Sequence, residues 1–361
     1  MSESITPGSD FVIPTVDIAP YLDPAGCAAT DSACAAVAAS IDDACRTVGF
    51  LQVVGHGVPD AAIDGLAAAI DGFFGASAQT KREFHRPGEN RGYTPPKSES
   101  LSMSLGVAPS NRMNDFYEAF TVGTEATAYP GLDLPEADYP ANRWPDVPGF
   151  RDSVAAYLSE VTVLSRALLR ACSDALGLGP NYFDDLIDHS IDTLKMNNYA
   201  LPPGAIELDG PLTGMGAHTD FGILTVLWAD RVAGLEVLGP DAVWHSVVPA
   251  PGAFLVNLGD AFARWTNDRW RSTLHRVDPP VVDGRIERRR SAAFFFDGNH
   301  DAVIEPLPGT VRPGEDAYPP ITIAAHLQAK LAGMKRGKTP AGADREAARV
   351  LDAAGRGNAR K

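Results

Sequence analysis

No run of 18 or more consecutive apolar residues occurs in the chain, so no segment is long enough to cross a bilayer as a helix. The start, Met1 to Pro7, has no basic stretch followed by an apolar one, and a secretory leader is not expected. Cysteine is scarce: Cys27, Cys34, Cys45 and Cys172 are the four in 361 residues, and none forms a Cys-x-x-Cys pair. That spacing speaks against a zinc ribbon or a dithiol redox centre. Three of the four fall in one helical region, so reduced, mostly buried thiols in a cytoplasmic protein are expected. Basic residues are outnumbered, 31 against 46 acidic, for a formal charge of −15. So acidic a surface argues against nucleic acid or an anionic membrane as the main partner. Internal repeats are missing too, which excludes a solenoid.

What is present suffices for a sizeable core, with 45% of residues hydrophobic and a length that allows one large domain or two smaller ones. Residues 11–18 read as an edge strand, the one place where Pro14 is tolerated. An Ala-rich amphipathic stretch, Ser32 to Val48, reads as a helix, and residues 49–58 as a short strand ended by glycines. Ile63, Leu66, Ala69, Ile70 and Phe73 repeat at helical spacing over 60–74; a longer helix is expected from Val154 to Leu176. Gly92 to Gly106, rich in Ser and Pro, reads as a loop, and 115–122 as a strand. From Asp192 the chain turns to short strands: Thr193–Tyr199, Ile223–Trp228, Leu235–Leu238, Trp244–Val247, Ala253–Asn257, His275–Val277 and Ala292–Phe296. Many short strands with Gly/Pro turns point to a jelly-roll barrel, whose mouth is a natural pocket. The expected division is 11–125 as an N-terminal region of helices and strands, 190–300 as the barrel core, and 335–361 as a basic tail, helical or disordered.

The stretch with most chemistry is Gly214 to Asp220, Gly-Met-Gly-Ala-His-Thr-Asp. His218 and Asp220 stand i, i+2, which in a strand places both on one face. By itself His-x-Asp fits a hydrogen-bonded loop histidine as well. A distant histidine, His275 in Ser-Thr-Leu-His-Arg-Val, would complete two His and one carboxylate. That set on one face of a metal leaves open positions and defines the facial triad of non-haem Fe(II) oxygenases. The other histidines, His56, His85, His189, His245, His300 and His326, have no partners at metal spacing and read as structural or surface residues. Asn257, Asp260 and Asn267 read as turn residues.

Several longer motifs surround these residues: Ile-Pro-Thr-Val-Asp-Ile, Gly-Phe-Leu-Gln-Val-Val-Gly-His-Gly-Val, Gly-Ala-His-Thr-Asp-Phe-Gly, Val-Asn-Leu-Gly-Asp, Trp-Thr-Asn-Asp-Arg-Trp-Arg-Ser-Thr-Leu-His-Arg-Val and Arg-Arg-Ser. With them the chain resembles the isopenicillin N synthase-like family of Fe(II)/2-oxoglutarate-dependent oxygenases, from Ile13 to about Leu331. The resemblance implies an α+β fold, a double-stranded β-helix (jelly-roll, cupin-like) with flanking helices. It implies a dioxygenase that uses Fe(II), 2-oxoglutarate and O2 to oxidise a small molecule, releasing succinate and CO2. His218, Asp220 and His275 match the family's iron ligands. Arg289 and Ser291 match its Arg-x-Ser carboxylate clamp, and Asn197 and Tyr199 its Asn-x-Tyr pair for 2-oxoglutarate.

Chemistry agrees with that assignment, since a guanidinium fork suits a carboxylate and a hydroxyl completes the fit. Arg288 and Arg290 read instead as a solvated basic run, and Asn198 and Lys195 as pointing away from Asn197 and Tyr199. Tyr93, Asn111, Arg112 and Phe296 are the candidate substrate contacts, with Arg112 hinting at an anionic group. Two other readings stand at this point. One is an oxidase of the same fold that uses its Arg-x-Ser for a substrate carboxylate instead of 2-oxoglutarate. The other is a non-catalytic binding protein on the same scaffold. Substrate, reaction outcome and oligomeric state are not legible in the sequence.

Overall fold

Alternation of side chains along short strands builds the centre of the molecule. The computed structural model describes residues 11–23, 27, 32–99, 101, 115–200, 214–278, 281–282 and 285–336. Its strands are β1 (Thr15–Asp17), β2 (Phe50–Val54), β3 (Gly92–Thr94), β4 (Glu118–Gly123), β5 (Thr193–Tyr199), β6 (Met215–His218), β7 (Leu224–Ala229) and β8 (Leu235–Leu238). They continue with β9 (Trp244–Ser246), β10 (Phe254–Leu258), β11 (His275–Val277), β12 (Val281–Val282), β13 (Arg285–Ile286), β14 (Arg289–Phe296), β15 (Val303–Ile304) and β16 (Ile321–Thr322). Eight form one sheet in the order β1-β2-β10-β7-β14-β5-β4-β3, and four form a second in the order β6-β11-β8-β9. Apart from the parallel pair β1–β2, both sheets are antiparallel. β1 lies at an edge, with Pro14 just before it, as the proline requires.

Each central strand of the large sheet has two buried faces. On one side Leu194, Met196, Val226, Val256, Ala292, Phe294 and Phe296 meet the helices. These are α1 (Ala19–Leu22), α2 (Ser32–Thr47), α3 (Asp60–Phe74), α4 (Ala78–Arg82) and α5 (Phe150–Ala175), with α6 (Asp260–Trp265) and α7 (Ile323–Arg336) later in the chain. Of these, α2, α3 and α5 carry most of that core. α5 starts after Gly149, whose φ of 73° suits glycine, and buries Val154, Tyr157, Val161, Leu164 and Leu168. Each such side chain contributes roughly 1.5–3 kcal/mol by leaving water. The other face of the sheet meets the second sheet through Phe50, Ala119, Tyr199, Met215, Val237, Leu255 and Val277. Between those two sheets the polar side chains of interest gather.

Two expectations need correction here, and a third is not reached. Gly92 to Thr94 is not loop but a strand paired with β4, because Tyr93 has a buried neighbour in Phe120. Cys27 and Cys34 are not two reduced thiols: they form a disulfide, with Cα atoms 5.9 Å apart, whereas Cys45 and Cys172 are free and buried. Cys34 lies in the first turn of α2, which starts at Ser32. Residues 337–361, most of the expected tail, lie outside the described residues. Among the described residues no helix is long and apolar enough to cross a membrane.

Candidate active site

β6 and β11 are antiparallel neighbours, and their register sets His275 directly opposite His218. Asp220 lies two residues past the end of β6 rather than inside a strand, yet its carboxylate returns to the same place. Its Oδ1 stands 3.8 Å from His218 Nε2 and 3.7 Å from His275 Nε2, too far for strong hydrogen bonds. The ligating atoms of all three lie within 4.8 Å of one another, and all three side chains are buried.

The surroundings settle which atoms face the common point. His218 Nδ1 is bonded to the Gly216 carbonyl at 2.8 Å and His275 Nδ1 to the Thr273 carbonyl at 3.1 Å. A carbonyl only accepts, so each Nδ1 carries the proton and each Nε2 keeps its lone pair free. Asp220 Oδ2 accepts from Thr225 Oγ1 and from Asn257 Nδ2, both at 2.6 Å, which leaves Oδ1 as the free donor. Burial, then the neighbouring His275, push the His218 pKa down to about 3, so it stays the neutral base that a metal requires. Two neutral nitrogens and one carboxylate oxygen fit a divalent cation with positions to spare.

The loop that carries Asp220 is held from behind. Asp260 N donates to the Asp220 carbonyl at 2.8 Å, and Ala261 N to the Phe221 carbonyl at 3.1 Å. The buried Asp260 carboxylate accepts from Thr219 Oγ1 at 3.1 Å and pairs with Lys330 of α7 at 2.8 Å. His326 of the same helix bonds the Phe221 carbonyl at 3.0 Å. Asn257, expected as a turn residue, is instead a strand residue of β10 whose amide orients the carboxylate. Removing an orienting partner of a metal ligand typically weakens metal affinity 10–100-fold. Asn257→Ala is therefore expected to raise the Fe(II) dissociation constant by about that factor. Iron titration monitored by activity checks it, and an unchanged affinity would show that Thr225 alone suffices.

On the large sheet, β14 pairs with β5 so that Arg289 opposes Tyr199 and Ser291 opposes Asn197. These four line one cavity of about 70 Å³ together with His218, Asp220 and His275. Arg289 is 2% exposed, its guanidinium lies 5.3 Å from the Tyr199 ring centre, and its Nε and Nη1 have no partner. Asn197 Oδ1 has none either. Burial depresses the Arg289 pKa. A buried guanidinium lacking an anion is costly, and a carboxylate ligand here would satisfy it.

Other expectations fare differently. Lys195 shares the face of Asn197 and Tyr199 rather than pointing away, as its odd position demands, and its ammonium meets Glu99 at 2.7 Å and Tyr117 Oη at 3.0 Å. Asn198 does point away, donating to Glu118 at 2.8 Å. Arg288 and Arg290 are not a free solvated run, because both pair with Asp71 of α3, at 2.8 and 2.6 Å. Phe296 is fully buried on the helix side; Phe295, one residue earlier, lines the cavity instead. Tyr93 gives its hydroxyl to Glu118 at 2.7 Å and lines a groove further out. Asn111 and Arg112 lie outside the described residues. His189 and His300, which sequence spacing leaves without metal partners, are brought together with Asp301 near the surface, where His189 is bonded on both nitrogens by Asp188 and Asp301. His56 is structural, as expected, bonded to the Gly252 carbonyl at 3.1 Å.

A second cavity, of about 160 Å³, adjoins the first and shares Leu101, Lys195, Asp220 and Phe295 with it. Sequence reasoning missed its polar wall, Arg91, Asp297 and Thr193, because no motif surrounds them.

Two opposed sheets enclosing a His-Asp-His cluster beside a buried arginine define a non-haem iron oxygenase of the jelly-roll type. Residues 191–298 match the 2OG-Fe(II) oxygenase superfamily, and residues 13–147 match the N-terminal region of non-haem dioxygenases in morphine synthesis. The chain is 32% identical over 320 residues to a 2-oxoglutarate-Fe(II) type oxidoreductase, hxnY, of Emericella nidulans, covering 86% of each chain. It is 33% identical over 311 residues to validamycin A dioxygenase of Streptomyces hygroscopicus subsp. limoneus, covering 84% of this chain and 81% of that one. The crystal structure of a full-length Neurospora crassa protein in complex with alpha-KG and thymine superposes with a TM-score of 0.75 at 27% identity, over 91% of this chain and 98% of the other. The chain belongs to the Fe(II)/2-oxoglutarate-dependent oxygenase family. It is a dioxygenase that uses Fe(II), 2-oxoglutarate and O2 to oxidise a small organic substrate, releasing succinate and CO2. Relatives named as 2-oxoglutarate-Fe(II) oxidoreductases speak against the oxidase without 2-oxoglutarate and against a non-catalytic protein.

Proposed function

We propose that His218, Asp220 and His275 hold the Fe(II), that Arg289 and Ser291 receive the distal carboxylate of 2-oxoglutarate, and that the substrate occupies the adjoining cavity. The observation that carries this is the buried Arg289 guanidinium, whose Nε and Nη1 have no partner, in the same cavity as the three ligating side chains. When bound, Fe(II) with 2-oxoglutarate supplies oxidative decarboxylation coupled to oxidation of the substrate. The chain's own contribution is placement. Gly216 and Thr273 hold the imidazoles in the ligating tautomer, and Thr225 and Asn257 aim one carboxylate oxygen. Tyr199 packs against Arg289, and Asn197 stands opposite Ser291 on the neighbouring strand, closing the co-substrate end. Phe295, Leu101 and Leu235 exclude water. In this reading residues 190–300 carry the chemistry, and the 11–125 region walls them. Relatives named validamycin A dioxygenase and clavatol oxidase support a place in secondary metabolism.

Chelation is the direct test. Succinate release from 2-oxoglutarate is expected to vanish on removal of iron, return with added Fe(II), and stay absent with Zn(II). Release that persists without iron would overturn the assignment of these three residues.

A further inference from the structure

We infer that the substrate carries a carboxylate or like-charged acidic group, and that Arg91 is the residue that reads it; this rests on the cavity assignment proposed above. Two buried arginines with an unpartnered nitrogen, Arg289 and Arg91, line the two cavities that meet at Asp220. Arg269, elsewhere in the fold, pairs with Asp42, and Arg264 stacks on Tyr318 and donates to the Pro319 carbonyl. Arg91 is 5% exposed, and its guanidinium donates from Nη1 to the Asn90 carbonyl at 2.8 Å. Its Nε has no partner. Gly123 leaves the space the guanidinium occupies, since a Cβ there would collide with Nη2. The place is built for an arginine, and among the described residues no carboxylate pairs with it.

The two carboxyls that act on Arg91 from a distance, Asp297 and Glu125, do not change that; Glu125 accepts from Asn142 N at 2.7 Å. Asp297 lines the same cavity but forms no ion pair with Arg91, and it is pressed against Gly222 beside the Asp220 loop. It is fully buried, which raises its pKa, and its main-chain N donates to Asp192 Oδ1 at 2.9 Å. Burial likewise draws the Arg91 pKa down to about 10, which still leaves it charged at neutral pH. The other ammonium in the wall, Lys195, is already taken by Glu99. The rest of the wall is largely apolar: Leu101, Ile191, Phe295, Leu327 and Leu331. Such a chamber selects a small molecule with an apolar body and one anionic end. The logic repeats that of Arg289: a buried guanidinium without an anion is explained by the ligand that brings one. One arginine would serve the co-substrate, the other the substrate, with the ligating face between them.

The test uses matched pairs of small probes: phenylacetate against phenylacetamide, 3-phenylpropionate against 3-phenylpropionamide, and hexanoate against hexanamide. Calorimetry reads binding to the protein alone and to the anaerobic Fe(II)·2-oxoglutarate complex. At least one acid is expected to bind tenfold or more tighter than its amide. In Arg91→Gln that preference is expected to disappear, and in Arg91→Lys to return in part, since an ammonium is charged but not forked. Amides binding as well as acids in the wild-type protein, no acid binding at millimolar concentration, or a preference that survives in Arg91→Gln would each overturn the inference. The wild-type comparison stands whether or not the variants fold. Succinate release without added substrate reports the iron and 2-oxoglutarate assignment separately, so its failure is distinguishable from loss of acid selectivity.

Discussion

His275→Ala is expected to abolish iron-dependent succinate release while the fold persists. In the proposed site the imidazole supplies one of three ligating atoms, and the cluster holds no fourth His, Cys, Asp or Glu among the described residues. A structural zinc held by four protein donors binds with about 10–16 kcal/mol, on the order of 3 kcal/mol per donor. Loss of one donor then weakens iron binding by about a hundredfold or more. Asp220→Ala is expected to be at least as severe, because the site's anionic ligand goes and the Thr225 and Asn257 donors lose their acceptor. Asp220→Glu also fails, since one added methylene moves the oxygen further than metal-ligand distances tolerate. The strands survive, because His275 packs edge-on against Phe50, 5.4 Å between ring centres, within an otherwise apolar cluster. Iron content per chain, succinate release and thermal melting together check this. Near-normal iron and turnover in His275→Ala would remove it from the ligand set.

Arg289→Ala is expected to weaken 2-oxoglutarate binding roughly 30- to 3,000-fold while iron binding persists. Truncating one partner of a buried charge pair typically costs about 2–5 kcal/mol, and each 1.4 kcal/mol is about a factor of ten. Arg289→Lys recovers part of the loss, because an ammonium cannot make the two-pronged contact. Arg290→Ala is the control: its side chain lies on the opposite face, paired with Asp71 and Asp230 at 2.6 and 3.3 Å and part-exposed. Such pairs contribute no more than about 1 kcal/mol, so its 2-oxoglutarate dependence should match the wild type. The measurement is succinate formation against 2-oxoglutarate concentration in the three variants. An unchanged dependence in Arg289→Ala would assign the guanidinium to another anion.

Much of this is legible along the chain because it is local. A spacing of two residues along a strand is enough to put Arg289 beside Ser291, and Asn197 beside Tyr199, whatever the rest of the molecule does. Helical period alone is enough for α3, whose bounds, Asp60–Phe74, coincide with the apolar repeat. The same alternation assigns Lys195 to the face of Asn197, against the expectation that it points away. Phase is a different matter. β14 is buried on both faces, so apolar character does not say whether Phe295 or Phe296 meets the cavity; that depends on which side the helices cover.

What only the tertiary structure decided is long-range. The His275–His218 register follows from strand order in the second sheet, and Asn257 reaches Asp220 only because β10 lies beside β7. The Lys330–Asp260 pair behind the Asp220 loop and the setting of Arg91 against Gly123 have the same origin. Sequence periodicity encodes which face a side chain shares with its neighbours. It does not encode which distant segment will be packed against that face, because that choice rests on the summed burial of whole elements rather than on any local preference.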